Sequence, residues 1–298
     1  MAKHRFDPNK FLVKPGSKLN LAKRPTDAGK DLTDKEHGLE TLSQDVSLLQ
    51  ELQQVLYAAG SHSLLIIFQG MDAAGKDGTI RHVMGAVNPQ GCRVYSFKAP
   101  NDAELQHHFL ARPVPCLPAR GMISIFNRSY YEEVLVVRVH PEFLGPQNLP
   151  RIDVKSNASL NKLWKRRFSE IKAFEESLAN NGTMILKFFL HVSRDEQKER
   201  FLERLTDPEK HWKFNSRDLA ERALWPKYVK AFESALSETS TKNAPWFVIP
   251  ADNKWYMRAA IADIIASKLK SLRLEYPSVD ADESSSFADL AEKLRKEK

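Results

Sequence analysis

The chain has 298 residues, of which 42% are hydrophobic and 28% are charged, so it is long enough to bury a large core as one domain with appendages. Its two cysteines exclude a disulfide framework, and no apolar run approaches the roughly 18 residues that a membrane-spanning helix needs. The N-terminus lacks an apolar signal segment, so we expect a cytoplasmic protein, and the net charge of +7 favours a polyanionic partner: nucleic acid, an anionic membrane or an inorganic polyanion.

The two ends of the chain differ in composition from the middle. Residues 1–33 contain scattered Pro, Gly, Lys and Arg without a sustained period, which predicts an extended N-terminal arm. From Asp34 to Gly60 the apolar residues recur at helical spacing, which predicts a packed helix at the start of the main domain, 34–274. The charged, Ser-rich segment 275–298 is predicted to be an appended tail.

Short apolar runs then alternate with segments of helical period. The apolar runs lie at 64–68, 94–97, 122–126, 184–192 and 246–250. The helical segments lie near 77–87, 102–110, 158–179, 194–205, 216–237 and 253–274. Nearly continuous Val, Ile, Leu and Phe runs separated by helices are typical of a parallel sheet covered on both faces. The sequence therefore predicts a three-layer α/β/α fold.

A glycine-rich segment, FQGMDAAGKDG at 68–78, follows the first predicted strand directly. It resembles the P-loop pattern G-x-x-x-x-G-K-[ST], in which backbone N–H groups and a lysine bind phosphate oxygens. The predicted phosphate-binding residues are Gly70, Ala73, Ala74, Gly75, Lys76, Asp77 and Gly78. Asp77 stands where the pattern has a hydroxyl, and Asp72 adds a second carboxylate inside the loop. The alternative interpretation is a Gly-rich turn with a surface lysine.

Asn127 and Arg128 follow the third predicted strand, where P-loop proteins carry the acid that positions magnesium. Because Asn127 is uncharged, a loop carboxylate has to neutralise the metal. We predict Asp72 and Asn127 as ligands of Mg²⁺, with Mn²⁺ as a substitute, and Arg128 as a bidentate phosphate ligand. A strand-end turn with a surface ion pair is the alternative.

Several separately placed motifs resemble the family-2 polyphosphate kinases. They are GMDAAGKDG at 70–78, IFNRSYYEEVLVVRVHPE at 125–142, RFLERLTDPEKHWKF at 200–214, PWFVIPADNKW at 245–255 and VKPGSKLNL at 13–21. The resemblance extends over about residues 10–272. It implies a P-loop kinase related in fold to thymidylate kinases, which moves a phosphoryl group between inorganic polyphosphate and a nucleotide with Mg²⁺. Asp72 and Lys76 match the family's functional aspartate and lysine.

The residues after the third strand also indicate a subgroup. The triplet Asn127-Arg128-Ser129, followed by Glu132 and Glu133, is similar to family members that act on both AMP and ADP. We therefore expect the two glutamates to contact the acceptor nucleotide. Directly after the second strand, Lys98 is a candidate contact for the acceptor phosphate, with a surface lysine as the alternative.

Two basic segments are candidates for holding a polyphosphate chain. Arg200 and Arg204 lie one helical turn apart in a segment, 194–214, that the resemblance makes a helical lid, so both guanidinium groups can face one phosphate chain. A second basic segment lies at 155–172 and would hold a polyanion as a nucleic-acid backbone is held. The predicted polyphosphate track consists of Lys162, Lys165, Arg166, Arg167, Lys198 and Lys210. A solvated helix face is the alternative for both segments.

The predicted reaction is Mg²⁺-dependent transfer from polyphosphate to AMP or ADP, with ADP or ATP as product and GMP or GDP as further acceptors. The predicted catalytic residues are Asp72, Lys76, Asn127, Arg128, Arg200 and Arg204. The acceptor phosphate is already anionic, so no general base is needed. The family suggests a homo-oligomer, and we expect no nucleic-acid or membrane partner. An ATP-dependent nucleoside monophosphate kinase and a nucleic-acid-binding P-loop ATPase are the alternatives.

Overall fold

The computed structural model describes residues 6–280, 284 and 286–297, and within them five strands form one parallel sheet in the order β2-β3-β1-β4-β5. The strands are β1 Ser63–Gly70, β2 Cys92–Ser96, β3 Ile123–Asn127, β4 Thr183–His191 and β5 Trp246–Pro250. All five predicted apolar runs are confirmed as strands. Central strand β1 pairs with β3 and β4, and Leu64 to Phe68 are fully buried, which explains why their apolar run is continuous.

Helices cover both faces of the sheet. In the described residues they are α1 Lys35–Ala59, α2 Lys76–Met84, α3 Asp102–Leu105, α4 Val136–Val139, α5 Asn157–Asn180, α6 Arg194–Thr206, α7 Arg217–Ala223, α8 Trp225–Thr239, α9 Lys254–Ser271 and α10 Phe287–Lys296. On one face α1, α2 and α9 pack together, and on the other α4 and α5 pack against α8. The predicted three-layer α/β/α architecture is therefore confirmed.

Three predicted helices have different bounds in the structure. The segment predicted at 216–237 is divided into α7 and α8, because Pro226 occupies the first turn of α8, where its missing N–H costs nothing. The predicted helical lid is α6 followed by a 3₁₀ segment, Pro208–Lys213. Asp207 has extended backbone because the residue before a proline disfavours the helical conformation. The segment predicted at 102–110 is helical only over α3.

The described part of the predicted arm, residues 6–33, lies along the edge of the sheet. Leu12 forms an antiparallel bridge with Phe247, and the amide of Val13 donates to the carbonyl of Trp246 at 2.9 Å. Phe6, Phe11 and Val13 are buried in the main core. An exposed edge strand can pair with other chains, so this segment also protects β5.

In the described part of the predicted tail, α10 carries the apolar residues Phe287, Leu290 and Leu294, which are exposed. The parts of the predicted arm and tail at 1–5, 281–283, 285 and 298 lie outside the described residues. The division into arm, main domain and tail stays a prediction. No helix in the described part of the chain is both long enough and apolar enough to cross a membrane.

One ion pair lies entirely inside the protein. Nζ of Lys187, in the middle of β4, is 2.6 Å from Oε2 of Glu175 on α5, and the two side chains are 0% and 1% exposed. The ammonium group also donates to the Tyr131 hydroxyl at 2.9 Å and to the Thr239 carbonyl at 2.8 Å. The hydroxyls of Tyr130 and Tyr131 both donate to Oε1 of Glu175. This network joins β4, α5, α8 and the segment that follows Arg128.

Candidate active site

The glycine-rich loop connects β1 to α2, as the sequence predicts. Ala73 has φ 59° and Gly75 has φ 103°, so two loop residues adopt the left-handed conformation. Such alternation turns successive N–H groups toward one side of a loop, and α2, which begins at Lys76, adds the N-terminal end of its dipole. A Cβ at Gly75 would lie 3.3 Å from Cε of Met257 in addition to the backbone strain, which favours glycine there. The loop therefore has the backbone shape of an anion site.

Lys76 lies at the base of the loop and is only 9% exposed. Its Nζ donates to the carbonyl of Gly70 at 2.9 Å and to that of Met71 at 3.3 Å. Burial, followed by repulsion from Arg128, lowers the pKa of Lys76 to about 8. The loop thus holds a cation that loses its charge as the pH rises through about 8 unless an anion binds beside it.

This pKa predicts the pH dependence of the unliganded protein. Below about pH 8 Lys76 is charged, and the charge is lost as the pH rises through that value, so kcat/KM for a phosphate-containing substrate should fall above it. The turnover number should fall only at higher pH, because bound phosphate favours the charged form. The measurement is a pH profile of both constants with an adenine nucleotide as acceptor. A kcat/KM that is constant up to 10.5, the ordinary pKa of lysine, would contradict this role.

The two loop aspartates pair with Asn127, the last residue of β3, and with Arg128, which follows it. Oδ1 of Asp72 accepts from Nη2 of Arg128 at 3.0 Å, and Oδ1 of Asp77 accepts from Nδ2 of Asn127 at 2.5 Å. These contacts are possible because Phe68, two residues before the end of β1, lies beside Asn127 in the sheet. Thus Asp72 and Asn127, the predicted metal ligands, have different partners. Among the described residues, no group of three or more His, Cys, Asp or Glu side chains could hold a metal ion alone.

Arg128 connects the loop with the rest of the site. Its backbone is left-handed, with φ 63°, and its amide donates to the carbonyl of Phe68 at 3.1 Å. Although burial opposes the charge, the carboxylates of Glu132 and Asp72 raise the pKa of Arg128. The guanidinium group is therefore a permanent cation in a fixed position beside the loop.

The loop lines an open cavity of 680 Å³. Of the predicted residues outside the loop, Lys98, Asn127, Arg128, Arg200, Arg204 and Lys210 also line it. Further cations in its lining are not among the predicted residues, and they are Arg81, Lys213, Lys254 and Arg258. Arg81 and Arg258 belong to α2 and α9, which the sequence predicts only as packing helices. Both residues lie in the N-terminal half of their predicted helical segments. That position is the only signal in the sequence that could have identified them as cavity residues.

A second cavity, of 280 Å³, adjoins the loop cavity and is mostly apolar. Its lining includes Phe97, Pro100, Leu105, Phe109, Pro113 and Phe143. Lys98 and Arg128 line both cavities, and Glu132 and Glu133 line this one, so the structure brings together the three residues predicted for the acceptor. Burial raises the pKa of Glu132, although Arg128 and Lys76 oppose the shift. A flat apolar group attached to a phosphate fits this pair of cavities.

The position of Arg200 differs from the prediction. Its side chain forms part of the cavity lining but is only 6% exposed, because the guanidinium group donates to four backbone carbonyls and to Glu196. Its N–H groups are therefore not directed at a phosphate chain. Helical spacing places Arg200 and Arg204 on one side of the helix, but it does not fix where each guanidinium group points. Arg204, by contrast, faces the cavity, with Nη1 3.7 Å from Asp218.

The predicted polyphosphate track is not one surface. Arg167 is 2% exposed and donates to Oε2 of Glu133 at 2.9 Å and to Gln147 at 2.6 Å. It therefore holds two residues of the apolar cavity's lining from the protein interior. Lys165 lines a separate groove with Arg138. Among the described residues that line the loop cavity, only Lys210 comes from the predicted track, and it is paired with acidic neighbours. Exposed on other surfaces are Lys162, Arg166 and Lys198.

The comparisons with known proteins concern nearly the whole chain. The family model described as Polyphosphate kinase 2 (PPK2) matches residues 32–277. A relative from Rhodopseudomonas palustris, named ADP-polyphosphate phosphotransferase, is 46% identical over 292 residues, which are 98% of this chain and 100% of the relative. A relative from Meiothermus ruber, named AMP/ADP-polyphosphate phosphotransferase, is 44% identical over 269 residues, which are 90% and 95% of the two chains.

A solved structure shows the same arrangement of the backbone. It is the crystal structure of Polyphosphate Kinase 2 from Arthrobacter aurescens TC1, which superposes with a TM-score of 0.87 at 39% sequence identity. The match covers 98% of this chain and 99% of that chain. The similarity in backbone therefore extends over the loop, the sheet and the helices around them.

Proposed function

Because the chain belongs to the polyphosphate kinase 2 family, we propose that it transfers phosphoryl groups between inorganic polyphosphate and adenine nucleotides, converting AMP to ADP and ADP to ATP. The observation that carries this proposal is the junction of a cationic phosphate cavity with an apolar cavity at Lys98 and Arg128. The names of the relatives from Rhodopseudomonas palustris and Meiothermus ruber support the same reaction and do not favour the two alternatives. We also propose GMP and GDP as acceptors and a homo-oligomeric state.

The transfer consists of one displacement at phosphorus. An oxygen of the acceptor phosphate attacks the terminal phosphorus of the chain, the bond from that phosphorus to the next bridging oxygen breaks, and the chain leaves one phosphate shorter. Lys76 and the loop amides bind the donor end, while Arg128, which lines both cavities, binds the group in transit. Asp72 engages one guanidinium nitrogen of Arg128, and the others are directed to phosphate oxygens. Arg204 and Lys210, which line the same cavity, neutralise the rest of the donor.

The residues of the loop cavity fit a magnesium ion. The carboxylates of Asp72 and Asp77 and the side-chain amide of Asn127 supply hard oxygen donors in one cavity, next to the place of the phosphates. Mg²⁺ prefers one or two carboxylates, waters and substrate phosphates to a cage made of protein groups alone. We propose that Asp72 and Asn127 hold it, with Asp77 beside them and Mn²⁺ as a substitute. When bound, the ion neutralises charge that develops on the phosphate oxygens.

Replacing Lys98 with methionine tests the acceptor site. Lys98 is exposed at the junction of the two cavities, so its ammonium group can reach an acceptor phosphate. Loss of one charge-assisted hydrogen bond should raise KM for ADP by about tenfold and leave KM for polyphosphate nearly unchanged. Steady-state kinetics with each substrate varied in turn measures both constants. A rise in KM for polyphosphate alone would instead assign Lys98 to the donor.

The function itself is tested by a panel of substrates. Purified protein with Mg²⁺ is given polyphosphate or ATP as donor and AMP, ADP, GMP or GDP as acceptor, and nucleotide products are separated by chromatography. We expect ADP and ATP from the polyphosphate reactions. Formation of ADP from AMP only when ATP is the donor would favour an ATP-dependent monophosphate kinase. ATP hydrolysis that is stimulated by DNA or RNA, without transfer to a nucleotide, would favour a nucleic-acid-binding ATPase.

A further inference from the structure

In the glycine-rich loop, the backbone carbonyl groups of residues 70–74 all accept hydrogen bonds from side chains. Over residues 70–74, five successive carbonyl oxygens would repel a phosphate if they faced it. Nζ of Lys76 donates to the first two at 2.9 and 3.3 Å, and Nε2 of Gln197 donates to the third at 2.8 Å. Nη1 of Arg200 donates to the fourth and fifth at 2.9 and 3.0 Å. Three side chains thus hold the negative ends of five peptide groups.

Arg200 connects three parts of the fold. Besides the two loop carbonyls, its Nη2 donates to the carbonyl of Ala251 at 2.6 Å and to that of Asp252 at 3.1 Å, at the end of β5. Its Nε donates to Glu196, one turn earlier on α6, at 2.8 Å. All five guanidinium N–H groups are used in these bonds, and the side chain is 6% exposed. The loop is therefore attached to both α6 and β5 through one planar group.

Gln197 is held in a single orientation. Its side chain is 2% exposed, and its Oε1 accepts from Nη1 of Arg222 at 2.8 Å. Because the oxygen faces an arginine, the amide nitrogen must face the other way, toward the carbonyl of Asp72. The same Nη1 of Arg222 also donates to the carbonyl of Arg194 at 2.7 Å, which fixes it against the first turn of α6.

We infer that Gln197 and Arg200 are positioning residues that turn the carbonyls of residues 72–74 away from the loop cavity and so keep the opposite, N–H-bearing side of the loop directed at the donor phosphates. The left-handed φ values of Ala73 and Gly75 fit this division of the loop into two sides. A preorganised set of donors binds an anion without reorganisation when it arrives. The inference rests on the proposed function, because it takes the donor phosphates to be the loop's ligand.

The same contacts change the interpretation of the predicted lid. The first half of α6 carries Gln197 and Arg200 and is attached to the loop, whereas Arg204 and Lys210 face the cavity farther along. The part of the predicted lid that these contacts do not attach to the loop therefore lies beyond Arg200 and includes the extended residue Asp207.

The experiment measures binding of tripolyphosphate by calorimetry in two variants, Gln197→Met and Arg200→Lys. Gln197→Met removes one donor without changing the size much, and it should raise Kd about tenfold. Arg200→Lys keeps the charge but loses the planar fork, so it should raise Kd more, by about a hundredfold. In the transfer assay, KM for ADP should stay within about twofold of wild type in both variants. The midpoint of thermal unfolding is recorded for each.

The matched control is Arg24→Lys. The guanidinium group of Arg24 also holds two carbonyls, those of Lys10 and Leu12, at 2.7 and 2.9 Å, but in the arm. This variant should lower the midpoint of unfolding without changing Kd for tripolyphosphate. If Gln197→Met and Arg200→Lys behave in the same way as this control, the two residues only support the fold and the inference is wrong.

Three further results bear on the inference, and the second of them separates it from the proposed function. If Arg200→Lys binds tripolyphosphate like wild type while Arg200→Ala does not, charge alone accounts for the effect and positioning is overturned. If wild type binds tripolyphosphate and the variants lose it, but no nucleotide is formed, the positioning role stands and the proposed function fails. A wild-type protein that does not bind tripolyphosphate would overturn the inference as well.

Discussion

Replacing Lys76 with methionine is expected to lower the turnover number for phosphoryl transfer by about two to three orders of magnitude. The ammonium group lies at the base of the loop cavity, where it donates to the carbonyls of Gly70 and Met71. Water is largely excluded there, so a charge acts strongly on the developing negative charge of the transferring group. Methionine has a similar volume but supplies neither the charge nor the hydrogen bonds.

The control for this variant is Lys242→Met. Lys242 is exposed in the turn before β5, at the opposite end of the sheet from the loop, so its loss removes one positive charge from the protein but not from the site. We expect wild-type turnover for Lys242→Met and an unfolding midpoint close to wild type for both variants. Near-normal turnover of Lys76→Met would exclude Lys76 from the chemistry and with it the assignment of the loop.

The largest expected effect on stability comes from Lys187→Met. This change leaves the carboxylate of Glu175 buried at 1% exposure without its cation, and breaking a buried pair in this way costs about 3–5 kcal/mol of unfolding free energy. Urea denaturation followed by fluorescence measures the change. Burial lowers the pKa of Lys187, and the carboxylate of Glu175 opposes this shift.

The double variant Lys187→Met, Glu175→Gln tests the origin of that loss. The introduced glutamine side chain would keep an oxygen for the hydroxyls of Tyr130 and Tyr131 but would carry no charge, so we expect much of the lost stability to return. As a comparison, Arg166→Met removes an exposed partner of Glu170 and should change stability by less than about 1 kcal/mol. If Lys187→Met is as mild as Arg166→Met, the pair does not contribute in the manner described.

The strands and the loop could be predicted because their signals are local. Continuous apolar runs, such as 64–68 and 246–250, indicate buried strands whatever their neighbours in the folded protein are. The glycines and the lysine of 68–78 follow the first run directly. Asn127 could be placed near the loop because the strands of a parallel sheet all end at the same edge, whereas its pairing with Asp77 depends on β3 lying next to β1. These features need no knowledge of which side chains are buried.

The position of the basic side chains could not be predicted in the same way. Arg200 and Arg204 have helical spacing in both interpretations, but only the packing of α6 on the loop decides that one is buried and the other faces the cavity. The basic neighbours of Arg167 in sequence predict a surface track, whereas its partners, Glu133 and Gln147, lie far away along the chain. Spacing along one helix carries no information about such partners.

Lys187 is a different case, because its signal is present in the sequence. A lysine in the middle of the apolar run 184–192 is a charge in a strand that is otherwise buried, and a fully buried lysine is rare without a partner. Its presence predicts a buried acid, although not which one. The apolar cavity gives no such signal, because its walls come from two segments, 97–113 and 128–147, that meet only in the folded protein.

The most direct test of the account is to follow label from radiolabelled polyphosphate into ADP, with wild type and Lys76→Met side by side under the same conditions with Mg²⁺. We predict that wild type places label in the terminal phosphate of ATP and shortens the chain by the same number of phosphates, and that Lys76→Met places almost none. Unlabelled nucleotide from the wild-type protein, or equal labelling by both proteins, would contradict transfer at the phosphate loop.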